Sequence, residues 1–304
     1  MGKRRVRNFK ILDKYSYYTP GGYGIAGLCL WLLLGVLLGN VVSMVFTAAL
    51  GIGAGTDAAM LVSYPLMFIP AMVYTAVKSS RNEEFDKGYA LDNSNFKPVG
   101  GAICALTAVL ATVALNFVSD FFINLLPAMP EWLEEALKAI TQGNFWLNLI
   151  CVSIFAPIFE EWLCRGMVLR GLLNHRRSDG STMNPAWAIV ISALFFAVIH
   201  ANPWQAIAAF LLGCLFGFVY WKTGSLKLTM LMHCANNSFA LILAQIPALK
   251  DIDDWRTVFT GPKYWIILAG CLLLVALTVS KFSRIKCERR GSCEELPAMF
   301  DEKS

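Results

Sequence analysis

Long stretches almost free of charge dominate this chain and leave it few architectures. Runs near residues 24–50, 57–77, 99–126, 144–172, 185–201, 204–221, 226–248 and 263–281 are predominantly apolar, each close to the roughly 20 residues a helix needs to cross a bilayer. Within lipid every backbone N–H and C=O must be satisfied inside the protein, so isolated runs of this kind fold as helices. Barrel strands would show a two-residue alternation instead. Composition agrees, with 57% hydrophobic and only 15% charged residues, where soluble domains carry roughly 45–50% and 25%. Disorder needs the opposite balance. The expected fold is an all-α polytopic membrane protein of about eight transmembrane helices.

The placement of Lys and Arg orients those helices. The N-terminal arm, the 78–97 loop, the connections around 170–177 and 222–227 and the C-terminal tail hold 21 of the 26 basic residues. The opposite side has Lys138, Lys250, Arg256 and Lys263. Positive charge stays on the cytoplasmic side, so both termini are expected there, in a multi-pass protein of the plasma membrane. No basic stretch interleaved with aromatics points to nucleic acid. Of nine cysteines, seven lie within apolar runs, where cysteine behaves as a small hydrophobe. Cys287 and Cys293 fall in the basic tail and are expected to be reduced. The first apolar run is about 27 residues long, too long for the core of a cleavable signal.

Several features read as architecture. Gly35/Gly39 and Gly213/Gly217 have the spacing of close helix packing. Residues 127–142 suit an amphipathic helix lying on the outer surface. Seven tryptophans (132, 146, 187, 204, 221, 255 and 265) sit near span ends, as in an interfacial belt. Asn202–Pro203 reads as a helix start. No internal repeat is evident, which disfavours a transporter built from paired halves.

Ionisable residues inside spans carry the functional signal. The run APIFEEWLCRGMVLRG places Glu160, Glu161 and Arg165 within the fourth span. Each costs about 2.5–3.5 kcal/mol to insert, so partners are required. Neighbouring helical residues point about 100° apart, which separates the two glutamates. Arg165 follows Glu161 by four, the favourable order for an ion pair, leaving Glu160 to face a cavity. The chain has three histidines. His175 sits in a basic loop and is read as solvated. His200 ends the fifth span, four residues after Phe196, and His233 shares a face of the seventh with Asn237. These groups suit hydrolysis. A desolvated glutamate can act as general base on a water, a neutral histidine can hold that water, and a His/Asn pair can stabilise an oxyanion. Glu160, His200 and His233 could instead bind a divalent metal such as Zn²⁺ with a position left for water. The HExxH spacing of soluble zinc proteases is absent, and no GxSxG supports serine chemistry.

Glu160-Glu161-x-x-x-Arg165, Phe196-x-x-x-His200 and His233-x-x-x-Asn237, in this order on separate spans, resemble the CAAX protease and bacteriocin-processing (Abi, or CPBP) family of intramembrane endopeptidases. The resemblance covers roughly residues 145–245. It implies a catalytic core at 144–249, preceded by three helices with the basic arm and outer segment (1–143) and followed by a last helix and tail (250–304). It further implies that Glu160 activates the water with His200, that His233 and Asn237 stabilise the oxyanion, and that Glu161, Arg165 and Phe196 support them. Family members are commonly labelled metalloproteases, and a metal-free glutamate mechanism is also argued for the prenyl-protein branch. The substrate so implied is a peptide or lipidated protein at the bilayer. A non-catalytic immunity or partner-binding protein on the same fold, and a proton-coupled transporter, are the rival readings. Two expectations remain to be met by a structure. Counting 1.5 Å per residue puts His233 about 9 Å from the cytoplasmic edge but Glu160 and His200 about 20 Å in, so the groups converge only if a helix starts later, kinks or tilts. The wide basic loops suggest access from the cytoplasm.

Overall fold

The structure is a computed structural model that describes residues 10–51, 54–84, 88–142, 144–176, 180–249, 252 and 254–287. Lys3, Arg4, Arg5, Arg7, Lys87, Arg177, Lys250 and the tail after Cys287, Cys293 included, lie outside the described residues.

The described residues are helical and connecting segments, with no strand among them. A short α1 (Lys10–Asp13) leads into α2 (Gly22–Leu50), which packs along α3 (Ala54–Asn82). Then come α4 (Gly101–Ile123), the amphipathic α5 (Glu131–Gln142) and a long composite helix, α6 (Phe145–Asn174). The remainder is α7 (Pro185–Val198), α8 (Pro203–Thr223), α9 (Leu226–Leu243), a single turn α10 (Trp255–Val258) and α11 (Pro262–Ser283). All eight expected spans are present as helices. Six of them are long and apolar enough to cross a membrane by themselves. The other two are α7, whose 14 residues reach only about 21 Å, and α9, whose hydropathy is lowered by His233, Asn236 and Asn237. The chain is an integral, multi-pass membrane protein, and exposed leucines and valines along α2 and α11 form its lipid-facing surface.

Side-chain caps start the later helices where the sequence offers them. Asn144, Asn184, Asn202 and Ser225 each accept backbone N–H bonds from the first turn of α6, α7, α8 and α9, satisfying donors that a helix start leaves open. Proline follows Asn184 and Asn202 at the first helical position, where its missing N–H costs nothing. Both GxxxG pairs pack helices closely, Gly35 and Gly39 bringing α2 onto α3, and Gly213 and Gly217 bringing α8 onto Ala193 and Ile189 of α7.

The connections at each end of the bundle bond to one another. At the end rich in Lys and Arg, the backbone of Asn93 and Asn95 bonds to Gly224 and Thr223, and Asn95 reaches the Lys286 carbonyl. At the other end Trp204 donates to the Pro127 carbonyl and the Trp255 N–H to Asp120. The fastening at the basic end is Arg170, which the sequence count placed in a connecting loop. It lies inside α6, 2% exposed. Its guanidinium donates to the carbonyls of Gly166, Tyr15, Ser16, Tyr18 and Tyr89. The N-terminal segment before α2 is thereby strapped over the end of the site helix, and burial pushes the Tyr15 phenol in that strap up to about 12. The eight described cysteines are all free.

Candidate active site

Two stretches of α6, Cys151–Phe155 and Trp162–Leu169, are wound as π-helix, whose wider turns are frequent at functional sites. Glu160 and Glu161 sit on the α-helical turn between them. As the 100° offset requires, the two carboxylates go different ways. Glu161 is fully buried, and its Oε1 accepts from Arg165 Nη1 at 2.8 Å. The guanidinium also donates to the Gly213 carbonyl at 3.2 Å and lies over the rings of Phe196 and Phe216, 4.6 and 5.2 Å from their centroids. Those contacts offset the cost of a charge in the bundle centre. Phe196 thus has a physical task as the platform for Arg165.

The same Oε1 of Glu161 accepts a second bond, from His233 Nδ1 at 3.0 Å. A carboxylate only accepts, so Nδ1 carries the hydrogen and Nε2 faces away. Nε2 points towards Glu160, 3.8 Å from its Oε2. The other oxygen of Glu160 is held by the hydroxyl of Tyr64, a donor from α3. Tyr64 is itself steadied by Phe68, whose ring stacks on Phe159 next to Glu160. Glu160 keeps a side-chain exposure of 15%, against none for Glu161.

His200 follows the last turn of α7. Its Nδ1 lies 2.7 Å from the Phe196 carbonyl, an acceptor only, so Nδ1 is the donor and Nε2 is left out of that bond. The next residue, Ala201, has φ 56°, a left-handed conformation costly for alanine. It turns the chain so that Asn202 both caps α8 and donates to the His200 carbonyl at 3.0 Å. The Phe196 ring meets the rings of both His200 and His233, at centroid distances of 4.8 and 5.5 Å.

A cavity of about 330 Å³ adjoins these groups, within the size range of small-molecule and peptide sites. His200, His233, Asn236 and Asn237 line it together with Phe216, and Leu137 of α5 and Gln205 of α8 also reach it. Asn237 donates to the Val152 carbonyl at 2.7 Å in the first π stretch and accepts from Asn236, which accepts in turn from Asn116 of α4. Its amide nitrogen is therefore engaged with backbone.

The structure brings Glu160, Glu161, Arg165 and His233 into one connected group and sets His200 and Asn237 on the wall of the adjoining cavity. Glu160 and His200 make no direct bond. Among the described residues no three His, Cys, Asp or Glu side chains are placed to hold a metal ion, so Glu160, His200 and His233 do not form a ligand set as they stand. His233 meets both glutamates despite the depth mismatch expected from the sequence. Helix α9 starts at Leu226 as expected, and the turn before it is buried within the protein. Thr223, Ser225 and Leu226 are each 1% exposed, roofed by residues 91–95, with Tyr220 donating to the Leu91 carbonyl at 2.8 Å. His233 and Glu160 lie side by side, Nε2 to Oε2 3.8 Å, and the π-wound turns from Trp162 to Leu169 between Glu160 and the basic end advance less per residue than α-helix. Tyr64, Asn116 and Asn236 were missed in the sequence, although each is a polar group within an apolar run.

Fold and site define an intramembrane protein whose polar core is built on α6, α7 and α9. Residues 142–239 match the model of the Rce1-like family, type II CAAX prenyl endopeptidase Rce1-like, as the three motifs imply. Two proteins of Bacillus subtilis (strain 168) are similar: the uncharacterized protein YyaK, 22% identical over 59% of this chain and 65% of its own length, and the "putative membrane peptidase YdiL", 25% identical over 36% and 43%. The chain thus spans less than two thirds of either relative. No solved structure matches it.

Proposed function

We propose that this protein is an intramembrane endopeptidase of CAAX type, hydrolysing a peptide bond of a membrane-associated or lipidated substrate with a glutamate-activated water. The observation that carries the reading is the unequal treatment of two adjacent carboxylates. Glu161 is consumed in holding Arg165 and His233, while Glu160 remains partly exposed beside the His233 Nε2. One carboxylate positions and the other is left for chemistry.

In this reading Glu160 takes a proton from a water as the water oxygen bonds to the scissile carbonyl carbon. The His200 Nε2, with its lone pair free in the neutral ring, accepts the water's other hydrogen and orients it. The carbonyl oxygen becomes an oxyanion next to His233, which donates from Nε2 when its ring carries both protons and is kept in place by Glu161. Asn237 holds the first π turn through Val152 and so shapes the wall at that point. On collapse the C–N bond breaks, and the proton on Glu160 passes to the departing amine. Every step uses this chain's own side chains. Tyr64 acts as a positioning residue, fixing one oxygen of Glu160 so that the other faces the reacting water.

The test is cleavage of a peptide library by the purified protein in detergent, beside Glu160→Gln and His233→Ala, each with and without phenanthroline. Loss of a general base lowers rates about 10²- to 10⁴-fold, and that loss is expected for Glu160→Gln in a protein that still elutes as a folded species. Phenanthroline is expected to leave the wild-type rate unchanged. Inhibition reversed by added zinc would require a metal held in a rearranged site. Equal cleavage by wild type and Glu160→Gln would remove Glu160 as the base and leave a binding protein as the better reading.

A further inference from the structure

We infer that this site takes its substrate from the extracytoplasmic side, entering beneath the amphipathic helix α5, and not through the wide basic loops. The inference rests on the hydrolytic reading only for the nature of the ligand, a peptide segment. The side of entry follows from the fold.

The cavity runs outward from His233 and Phe216. Its far wall is His200 at the end of α7, Gln205 in the first turn of α8 and Leu137 of α5. All three belong to the end of the bundle that holds only four basic residues in the sequence. Positive charge marks the other end as cytoplasmic. Helix lengths agree with an outward vestibule. With 14 residues α7 reaches about 21 Å, short of the roughly 30 Å hydrocarbon thickness, so His200 ends below the outer surface. Alpha-5 borders that recess, contributing Leu137 to the cavity while Trp132 stays 70% exposed.

Towards the basic end the way is closed. Leu163, Met167, Leu169, Val219 and Met232 are each fully buried beyond the site, and the Arg170-fastened strap covers the end of α6. A separate depression of about 710 Å³ opens at the basic end, around Lys78 and Arg176. It shares no lining residue with the site cavity. A peptide segment at the outer surface, such as a secreted chain or an exposed loop of another membrane protein, therefore reaches His233, whose Nε2 lies 3.8 Å from Glu160, by a route that a cytoplasmic tail lacks.

Single cysteines labelled by a membrane-impermeant maleimide in intact cells test the route, with the wild-type chain as background. Ala208→Cys reports the cavity wall, Trp132→Cys the outer end and Arg176→Cys the basic end. The expected result is labelling at 208 and 132 before permeabilisation to the extent seen after it, with 176 labelled only afterwards. Labelling at 208 that appears only after permeabilisation, together with 176, overturns the inference. So does labelling of 176 but not 132 in intact cells, which would invert the whole protein. Failure of the hydrolytic reading shows separately, as no cleavage by solubilised protein while the labelling pattern holds. With cleavage present, right-side-out vesicles are expected to cut added peptides and inside-out vesicles to spare them.

Discussion

The α2–α3 hairpin and the helix α6 both cross the membrane, yet they solve different problems. The most apolar windows of α2 and α3 are only 17% buried, whereas half of the corresponding window of α6 is inside the protein. Alpha-2 carries no ionisable side chain apart from Tyr23 and Cys29, and turns leucine and valine to lipid on most of its surface. Alpha-6 holds Glu160, Glu161, Arg165 and Arg170, a load that insertion costs of about 2.5–3.5 kcal/mol each would forbid in a solitary helix. The lesson is that charge is admitted where two or more neighbours converge on it: Arg165 has a carboxylate, a carbonyl and two aromatic faces, and Arg170 has five carbonyls. Tyr64, which donates to Glu160, is where the hairpin reaches across to the candidate site.

The sharpest way to break this contrast is to strand a charge in α6. Arg165→Leu leaves Glu161 buried with only His233 to meet it, and removal of one partner of a buried pair typically costs about 3–5 kcal/mol. The loss should appear in denaturant unfolding of the detergent-solubilised protein. The double variant Glu161→Leu/Arg165→Leu removes both charges and should recover part of that stability while remaining inactive, because His233 loses its anchor. A double variant less stable than Arg165→Leu alone would show that the ion pair is not what balances the helix. Next comes Arg170→Met, which abandons several buried carbonyls at a cost of about 3 kcal/mol. Its signature is local: faster proteolysis within residues 10–21, with cleavage activity reduced less than stability.

Tyr64→Phe tests the bridge between the two regions. A hydrogen bond to a charged group is worth about 1.5–3 kcal/mol, so kcat should fall about 10- to 100-fold. KM and the unfolding midpoint should stay near wild type, since the ring still packs on Phe68. A fall in stability without the kcat effect would make Tyr64 a packing residue only.

Much of this was legible in the sequence, for reasons that particular residues make plain. Helix positions followed from apolar run lengths because lipid permits nothing else there. The Glu161–Arg165 pair followed from i,i+4 geometry, and it survives although the chain is π-wound from Trp162 onwards. What escaped was whatever depended on a partner distant in sequence. The bond from His233 to Glu161 spans 72 residues and that from Tyr64 to Glu160 spans 96. Arg170 looked like a loop cation because the strap that buries it lies about 150 residues away. Loop charge likewise tells which side a loop is on and nothing about what it covers.

The smallest expected effect lies in the hairpin, and it separates two glycines that look equivalent. A Cβ on Gly35 would lie 1.8 Å from the Met67 carbonyl oxygen, a backbone atom that cannot step aside. On Gly39 the first atom met is Cγ of the Met67 side chain, at 2.9 Å, and the backbone atom behind it, the Ser63 carbonyl oxygen, is at 3.1 Å, a milder approach than at Gly35. Gly35→Ala must therefore push α2 away from α3, at about 1–2 kcal/mol for an overpacked contact, whereas Gly39→Ala should cost less because a methionine can change rotamer. Alpha-2 touches none of the reacting groups, so peptide cleavage should be retained in both. Unfolding midpoints of the two variants provide the check. Equal midpoints would mean that the helices slide without loss, as lipid-facing surfaces can. A loss of cleavage in Gly35→Ala would instead carry the disturbance through α3 to Tyr64, and the hairpin would then count as part of the site's support and no longer as its lipid-facing margin.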